Sequence, residues 1–377
     1  MRILIPTLDY PPIEGAISMV TREAAHAFAR MGHEVTVAAP QRPDVAAFDA
    51  AEPVRVVRFH GYGVGWARML LFYTTYRRLL RDADLVLAMD LPYGGLLGRF
   101  TGRCRHVPYV CFAYAAEFLA FRGSVPRAAL YRSVYRHAAA VIAMSSFARA
   151  NLRLFGVPDS HVRVVLPPAP PPRAVSEEAA ARVRHDLMLG AAPVILAVAP
   201  FIPGNNHLVL VRAMAQVLEA VPGAHLVMVG SGPMREPCVE TAHDMGIEAF
   251  VHCPDRLDDG DIAALYATCT LFALPAGAHE SGEAADFGLV FAGAAAYGKP
   301  VVAGRAGGVA DVVADGETGR LVPPDDPDAV AAAVTALLNE PARAEAMGVA
   351  ARRRFIEALN GDTFAAGVLE AAGLGEG

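Results

Sequence analysis

The sequence predicts an α/β protein made of two doubly wound domains, each a parallel sheet with helices on both faces. Three observations predict this class. Short apolar runs of strand length alternate with longer helical patterns along almost the whole chain. A proline-rich stretch, LPPAPPPRAV at 166–175, interrupts that alternation. The length of 377 residues exceeds what one ordinary core accommodates, so two domains are expected.

The first half alternates strands and helices from its first residues. Strands separated by helices at this spacing indicate βαβ crossovers, because neighbouring parallel strands need a long connection. The predicted elements, in chain order, are a strand at Arg2–Pro6, a helix at Ser18–Met31, strands at Glu34–Ala38 and Val54–Phe59, a helix at Ala67–Arg81, strands at Leu85–Met89 and His106–Phe112, a helix at Arg127–His137, and strands at Val141–Ala143 and Val162–Val165.

The second half repeats this pattern after the proline-rich stretch. Five prolines in ten residues remove backbone donors and disfavour helix, so 166–175 is predicted to be an extended connector. The elements predicted after it are a strand at Val194–Ala199, a helix at His207–Ala220, strands at His225–Val229, Phe250–His252, Thr270–Leu274 and Pro300–Ala303, and a helix at Asp328–Asn339. A further helix is expected to start at Phe287-Gly288 and to end at Gly298-Lys299-Pro300.

Composition narrows the function classes. Hydrophobic residues make up 54% and charged residues 19%, as in a globular protein, and the net charge of −6 gives no reason to expect nucleic acid as a partner. The arginines at 122–136 and 352–354 are interpreted as solvated helix faces, with membrane contact left open but not indicated. No apolar run is long enough for a signal peptide or a membrane span. Because the five cysteines are scattered without metal-ligand spacing, we expect reduced thiols, no metal and a cytoplasmic protein.

Glycine-rich turns follow several predicted strands. Ligands of doubly wound sheets bind at the carboxyl ends of the strands, here in the cleft between the halves. Gly15 in LDYPPIEGAIS (8–18) precedes a helix, so it either lets backbone approach a ligand or only shapes the turn. Gly307 and Gly308 are predicted to face the ligand. For Gly316 and Gly319 a role in shaping tight loops is equally open.

Several longer segments resemble a known enzyme family. They are LDYPPIEGAISMVTREAAHAFARMGHEVTV (8–37), VIAMSSFARANLRLFGVPDSHVRVV (141–165), VGSGP (229–233), LYATCTLFALPA (265–276) and DFGLVFAGAAAYGKPVVAGRAGGVADVVADGETGRLVPPDDPDAVAAAV (286–334). On these segments the chain is identified as a member of the retaining glycosyltransferases of family 4, which have the GT-B fold of two Rossmann-like domains facing a central cleft. The resemblance implies sugar transfer from a nucleoside diphosphate donor to a small-molecule or glycan acceptor, with retention, no metal and no cofactor beyond the donor.

The resemblance also implies a division of the chain. We expect an acceptor-side Rossmann-like domain at 1–167 and a proline-rich linker at 168–180. A donor-side domain then covers 181–357, and a C-terminal helix at 358–377 packs back on the first domain.

Five positions depart from the family pattern. The family has two glutamates around the FG pair, one for the donor sugar and one for the ribose, and these positions are Ala285 and Gly293. An arginine and a lysine that neutralise the diphosphate fall at Pro200 and Asn205. A histidine that meets the donor sugar falls at Ala113. Loss of all five together suggests a changed donor or a changed function.

Other groups are candidates to replace them. The backbone N–H groups of Phe287, Gly288 and Leu289 open a helix and suit an anion without any particular side chain. Three side chains on the same edge of the second domain are candidates for positive charge: Arg305, Arg212 and His207.

Acidic and aromatic side chains complete the candidate set. Asp286 is preferred to Glu280 and Glu283 as the candidate to reach sugar hydroxyls in place of a family glutamate, and it is a candidate catalytic residue. A solvated loop charge is an equal alternative for Asp286. In the first domain Glu117 is the second catalytic candidate and a candidate for acceptor binding. Tyr114 is a candidate to stack on an acceptor sugar. A structural role in the loop is an equal alternative for Glu117 and Tyr114.

Three hypotheses follow for the function. The first is an active glycosyltransferase with an unusual donor or acceptor, in which the donor phosphate takes the acceptor's proton. The second is a GT-B enzyme that uses a different activated donor. The third is a non-catalytic partner or acceptor-binding protein. The retained glycine loops favour the first, whereas the simultaneous loss of both cations and both glutamates favours the third.

Overall fold

The computed structural model describes residues 1–13, 15–60, 66–99, 107–114, 125–254, 257–277 and 288–375, with side chains for all of these except 66–72. The chain folds into two compact units. One is Met1–Pro170 together with Leu359–Gly377, and the other is Pro171–Ala358.

The first unit is built on a parallel sheet. In its described residues seven strands pair in the order β3-β2-β1-β4-β5-β6-β7, and each pair is parallel. The order reverses between β1 and β4, as in a doubly wound fold. The strands are β1 (Arg2–Pro6), β2 (Glu34–Pro40), β3 (Arg55–Phe59), β4 (Leu85–Ala88), β5 (Tyr109–Ala113), β6 (Ala140–Ala143) and β7 (Val162–Val164).

The second unit repeats this design. Where the structure describes it, six parallel strands pair in the order β10-β9-β8-β11-β12-β13, and the reversal lies between β8 and β11. These strands are β8 (Val194–Val198), β9 (His225–Val229), β10 (Val251–His252), β11 (Leu271–Leu274), β12 (Val301–Gly304) and β13 (Gly319–Val322).

Helices connect the strands in both units. In chain order they are α1 (Ala16–Arg30), α2 (Ala46–Ala51), α3 (Trp66–Leu79), α4 (Val125–His137), α5 (Ser146–Leu154), α6 (Glu177–Asp186), α7 (His207–Ala220), α8 (Arg235–Asp244), α9 (Asp259–Thr268), α10 (Leu289–Ala296), α11 (Val309–Val312), α12 (Pro327–Asn339), α13 (Pro341–Ala358) and α14 (Gly361–Ala371). None of those in the described part of the chain is long and apolar enough to cross a membrane.

The predicted fold class is confirmed, and most predicted strands agree with the structure to within one or two residues. The strand predicted from His106 starts instead at Tyr109, directly after Pro108, which has no N–H to donate to a ladder. Strand β13 was not predicted, because four residues that begin with a glycine and end before two prolines carry little pattern. Helix α6 starts at Glu177, within the stretch predicted as linker.

The C-terminal helix α14 packs against α1 in the first unit. Its Phe364 ring stacks on Phe112 of β5, with ring centroids 5.9 Å apart. Asp362 accepts from Arg30 at 2.8 Å. Residues far apart in sequence therefore complete one core.

Candidate functional site

The carboxyl edge of the second sheet is one candidate site. Doubly wound folds bind ligands where the strand order reverses, and that point lies between β8 and β11. The chain leaves β8 through residues 199–206 and leaves β11 from residue 275 onward. The two segments are joined by a hydrogen bond from the Gly277 N–H to the Gly204 carbonyl oxygen, 2.9 Å long.

The positions expected to carry the two cations lie in the loop after β8. The Asn205 side-chain amide donates to the Pro200 carbonyl oxygen at 2.8 Å, and Asn205 is buried. The polar group of Asn205 is therefore satisfied inside the loop. Neither position presents a charge to the sheet edge.

His207 is the first residue of α7 and is only 1% exposed. Its ring stacks on Phe201 with centroids 4.3 Å apart, and neither ring nitrogen has a hydrogen-bond partner among the described residues. Burial lowers the pKa of His207 to about 4, so the ring is neutral at pH 7. The interpretation of His207 as a source of positive charge does not hold for the ligand-free chain. Donor binding through the ring stays a prediction.

Asn206 is a residue of this edge that sequence reasoning missed. It adopts the left-handed conformation with φ of 52°, and its side-chain nitrogen lies 3.1 Å from the carbonyl oxygens of Pro275 and Pro324 and 2.9 Å from Asp325 Oδ1. One amide thus holds three segments of the edge together. The available signal was an asparagine directly before a helix, since asparagine tolerates this conformation.

Arg305 lies beside strand β13. Its guanidinium donates to Asp315 Oδ2 at 2.6 Å and to the Leu321 carbonyl oxygen at 3.2 Å. Asp315 also accepts from the Leu321 N–H, and this bond together with Arg305 holds the pKa of Asp315 below its usual range. Arg305 and Asp315 therefore satisfy the outer backbone groups of an edge strand. Arg212, the other arginine candidate, is exposed on α7.

Gly288 and Gly307 have backbone reasons to be glycine. Gly288 precedes Leu289, the first residue of α10, with φ of 67°, and Gly307 has φ of 53°, both in the left-handed region. Gly308 precedes α11 with an ordinary φ of −88°. Phe287 lies outside the described residues. The helix start has no side-chain cap from Gly288, and donor contact by these residues stays a prediction.

The remaining glycines fit the loop-shaping alternative. Gly316 has φ of 82°, and a Cβ on Gly319 would overlap the Val301 carbonyl oxygen of the neighbouring strand. In the VGSGP turn, a Cβ on Gly232 would lie 2.5 Å from the Phe201 carbonyl oxygen, because the Phe201 N–H donates to Ser231. These glycines allow backbone segments to approach closely.

Gly293 stands within α10 where the family has its ribose glutamate. A Cβ built there would meet only the Tyr266 hydroxyl, at 3.7 Å, and the Tyr266 ring carbon that carries it, at 4.0 Å, both ordinary contacts. The position therefore accommodates a Cβ without displacing Tyr266.

The start of α1 in the first unit is a second candidate site. Gly15 precedes the helix with φ of 152°, and a Cβ on it would have no atom of the described residues within 4 Å apart from its chain neighbours. In the first turn, Ser18 is 1% exposed, and in the part of the chain that the structure describes its hydroxyl has no hydrogen-bond partner. An uncapped helix start next to open space suits a negatively charged group.

Asp90 lies at the carboxyl ends of β1 and β4, and the sequence analysis did not identify it. It accepts from the backbone N–H groups of Leu8 (3.0 Å), Tyr93 (2.8 Å) and Gly94 (3.0 Å). Burial raises the pKa of Asp90 to about 6, although these three hydrogen bonds lower it. The signal was a single acid at the end of an apolar strand, LVLAMD.

Three further predicted residues are Tyr114, Glu117 and Asp286, and the structure describes only the first of them. Tyr114 directly follows β5 and is 2% exposed, so its ring presents no open face to a sugar. The catalytic candidates Glu117 and Asp286 lie outside the described residues. Ala113 is the fully buried last residue of β5.

The only lysine of the sequence, Lys299, has a structural partner set. Its ammonium donates to the carbonyl oxygens of Ala267 and Cys269, each at 2.9 Å, at the end of α9. Among the described residues no three His, Cys, Asp or Glu side chains are placed to hold a metal ion.

Comparison with protein families gives two matches. A model described as glycosyl transferases group 1 matches residues 187–354, and one described as glycosyltransferase family 4 matches residues 17–171.

Curated relatives match along almost the whole chain. The GDP-mannose-dependent alpha-(1-6)-phosphatidylinositol monomannoside mannosyltransferase of Mycolicibacterium smegmatis is 31% identical over 364 residues, covering 93% of this chain and 92% of that protein. The protein of the same name from Mycobacterium tuberculosis H37Rv is 30% identical, covering 97% and 96%.

Solved structures share the fold. HepE of Anabaena, in complex with UDP and glucose, superposes with a TM-score of 0.80 at 18% identity, over 98% of this chain and 99% of that one. WaaG, a glycosyltransferase involved in lipopolysaccharide biosynthesis, gives a TM-score of 0.68 at 17% identity over 100% of both chains.

Proposed function

This chain belongs to the glycosyltransferases of group 1 and family 4, and we propose that it transfers a mannosyl residue from GDP-mannose to a glycolipid acceptor with retention of the anomeric configuration. One observation carries the proposal. The mycobacterial mannosyltransferases are at least 30% identical over more than nine-tenths of both chains. The likeness thus includes both domains.

The proposed reaction requires few catalytic side chains. In the proposed reaction the bond between the sugar C1 and the diphosphate oxygen breaks, and C1 bonds to the acceptor oxygen on the same face. The acceptor's proton passes to the departing diphosphate, so no protein base is required. The helix starts at Gly15 and Gly288 supply backbone N–H groups and dipoles for negative charge, which supports this assignment.

We further propose that the donor site is atypical. Pro200 and Asn205 carry no charge, and Gly293 cannot bond a ribose through a side chain. A preorganised donor at a leaving group contributes on the order of 3 kcal/mol to catalysis. A site without both cations is therefore expected to turn over slowly, or to obtain its positive charge from another source.

The missing charges at the donor positions favour a second candidate function, a partner or acceptor-binding protein without transferase activity. Its sequence basis is the joint change at all five donor positions. Its structural support is the neutral, buried His207 and the engagement of Arg305 with Asp315.

Binding and turnover separate the two candidates. The protein is heated with GDP, GDP-mannose, UDP and UDP-glucose at millimolar concentration, and GDP release from GDP-mannose is followed with and without a mannosylated phosphatidylinositol. A ligand at about 100 times its Kd adds roughly 2.7 kcal/mol of stability. Stabilisation by GDP and lipid-dependent GDP release support the mannosyltransferase. If GDP neither stabilises the protein nor is released, and the protein still binds the lipid, the result supports the binding protein. NMR of the product's anomeric proton tests retention.

A further inference from the structure

A buried carboxylate, Glu52, contacts the middle of α1 in the first domain. It follows α2, and its side chain is 1% exposed. Glu52 Oε1 accepts from Arg22 Nε at 2.9 Å and Nη2 at 2.7 Å, and Oε2 lies 2.8 Å from His26 Nε2. Both partners are on α1, so Glu52 holds this helix from one side.

The same carboxylate also binds the loop that leads into α1. The Tyr10 hydroxyl donates to Glu52 Oε2 at 2.6 Å, and Tyr10 is fully buried. Burial alone would raise the pKa of Glu52, but the bonds from His26, Arg22 and Tyr10 outweigh it and hold the pKa at about 2. Glu52 is thus a charged acceptor that joins loop and helix.

A second buried ion pair holds the next residue of this loop. Arg58 of β3, with a 6% exposed side chain, donates to Asp49 Oδ1 at 2.6 Å and to the Pro11 carbonyl oxygen at 2.7 Å. Its guanidinium lies 5.7 Å from the centre of the Tyr10 ring. Two adjacent loop residues are therefore held from below by buried charges.

These contacts set the geometry of a segment with open space beside it. Gly15 follows Tyr10 by five residues and directly precedes α1, and no atom of the described residues beyond its chain neighbours lies within 4 Å of a Cβ placed on it. The Ser18 hydroxyl, buried in the first turn of that helix, has no hydrogen-bond partner among the described residues. Since Glu52 binds on both sides of Gly15, a shift at Glu52 changes the loop and the helix start together.

We propose that Glu52 is a positioning residue for the substrate-facing start of α1 and that it acts through Tyr10. The inference rests on the proposed function, in which this helix start receives the negatively charged part of a substrate. Glu52 and Tyr10 themselves touch no reacting atom. Their role is to hold backbone N–H groups where the ligand needs them, because misplacement by about 1 Å can cost as much as a hundredfold in rate.

The test uses Tyr10→Phe, which removes one hydroxyl, and Glu52→Gln, which keeps the side-chain volume and one acceptor oxygen. The full chain is assayed for GDP release from GDP-mannose, and amide hydrogen exchange is measured at residues 16–20. We expect Tyr10→Phe to lower kcat/KM about tenfold and to speed exchange at these amides. Phe28→Leu is the matched control, because Phe28 is fully buried on the same helix and away from this network.

Each outcome decides the inference. The positioning role stands if both variants lose turnover and their amides at 16–20 exchange faster. Phe28→Leu must show neither effect when it lowers the Tm by the same amount. If the wild type turns over and the variants match Phe28→Leu, the inference is overturned and the proposed function survives. If the wild type neither binds nor cleaves GDP-mannose, the proposed function fails. Exchange at 16–20 then decides alone: faster exchange in Tyr10→Phe upholds the coupling, and unchanged exchange overturns it. If Glu52→Gln does not fold, Tyr10→Phe decides.

Discussion

The Asn205 side-chain amide donates to the Pro200 carbonyl oxygen at 2.8 Å, so the two positions that the family resemblance assigns to diphosphate-binding cations bond to each other. The loop is closed by a neutral contact where related enzymes are expected to present charge. Substituting cations at these two positions therefore tests whether this edge of the sheet binds the donor diphosphate.

The double substitution Pro200→Arg/Asn205→Lys is expected to raise kcat/KM for GDP-mannose at least about tenfold. Cations at these positions would stabilise the leaving diphosphate, and each such interaction is worth on the order of 3 kcal/mol when well placed. Steady-state GDP release measures the effect. Val239→Arg/Met245→Lys adds the same two charges at exposed positions, one in α8 and one directly after it, and serves as the control. An unchanged kcat/KM in the restored variant would argue that the site does not receive a diphosphate here.

Gly293→Glu is expected to tighten GDP binding, because a carboxylate can accept from ribose hydroxyls and the position has room beside Tyr266. Calorimetric titration with GDP gives the affinity. Gly293→Ala is the matched control, since both variants remove a helical glycine and gain roughly 0.5–1 kcal/mol of stability. Equal GDP affinity in the two variants would count against a ribose at this position.

His207→Phe is expected to remove a pH dependence of folding. The folded-state pKa of His207 is about 4, below its ordinary 6.5, so its contribution is complete above pH 6.5 and is lost as pH falls towards 4. Wild type should therefore lose about 3 kcal/mol of unfolding free energy relative to His207→Phe across that window. Urea unfolding at pH 4, 5, 6 and 7.5 measures it, and parallel curves for the two proteins would contradict the buried neutral ring.

Gly15→Val is expected to lower GDP-mannose turnover about tenfold by filling the open space at the start of α1. Its control is Gly223→Val, in the turn before β9, where φ is also positive and no atom lies within 4 Å of the added Cβ. Both variants introduce backbone strain, so Tm should fall in each. Loss of turnover in both, in proportion to Tm, would assign Gly15 a purely structural role.

Sequence reasoning reached the candidate site unevenly. It found the helix starts at Gly15 and Gly288, because glycine before a helical pattern is a local signal. It did not find Asn206 or Asp90, whose partners come from other strands and loops. It interpreted His207 and Arg305 as sources of positive charge. In the structure His207 is a buried neutral ring, and Arg305 forms an ion pair with Asp315.

The amino-acid sequence by itself determined the alternation of strands and helices, the restart after the proline-rich stretch and hence two doubly wound sheets. Apolar periodicity is a local property, and parallel pairing with crossovers leaves few topologies to choose from. Only the tertiary structure decided which polar groups are buried and what they bond. Glu52 meets Tyr10 across 42 residues of sequence, and Asn206 meets Asp325 across 119. The charge and hydrogen bonding of such groups depend on which elements pack against them, and no local pattern in the chain encodes that packing.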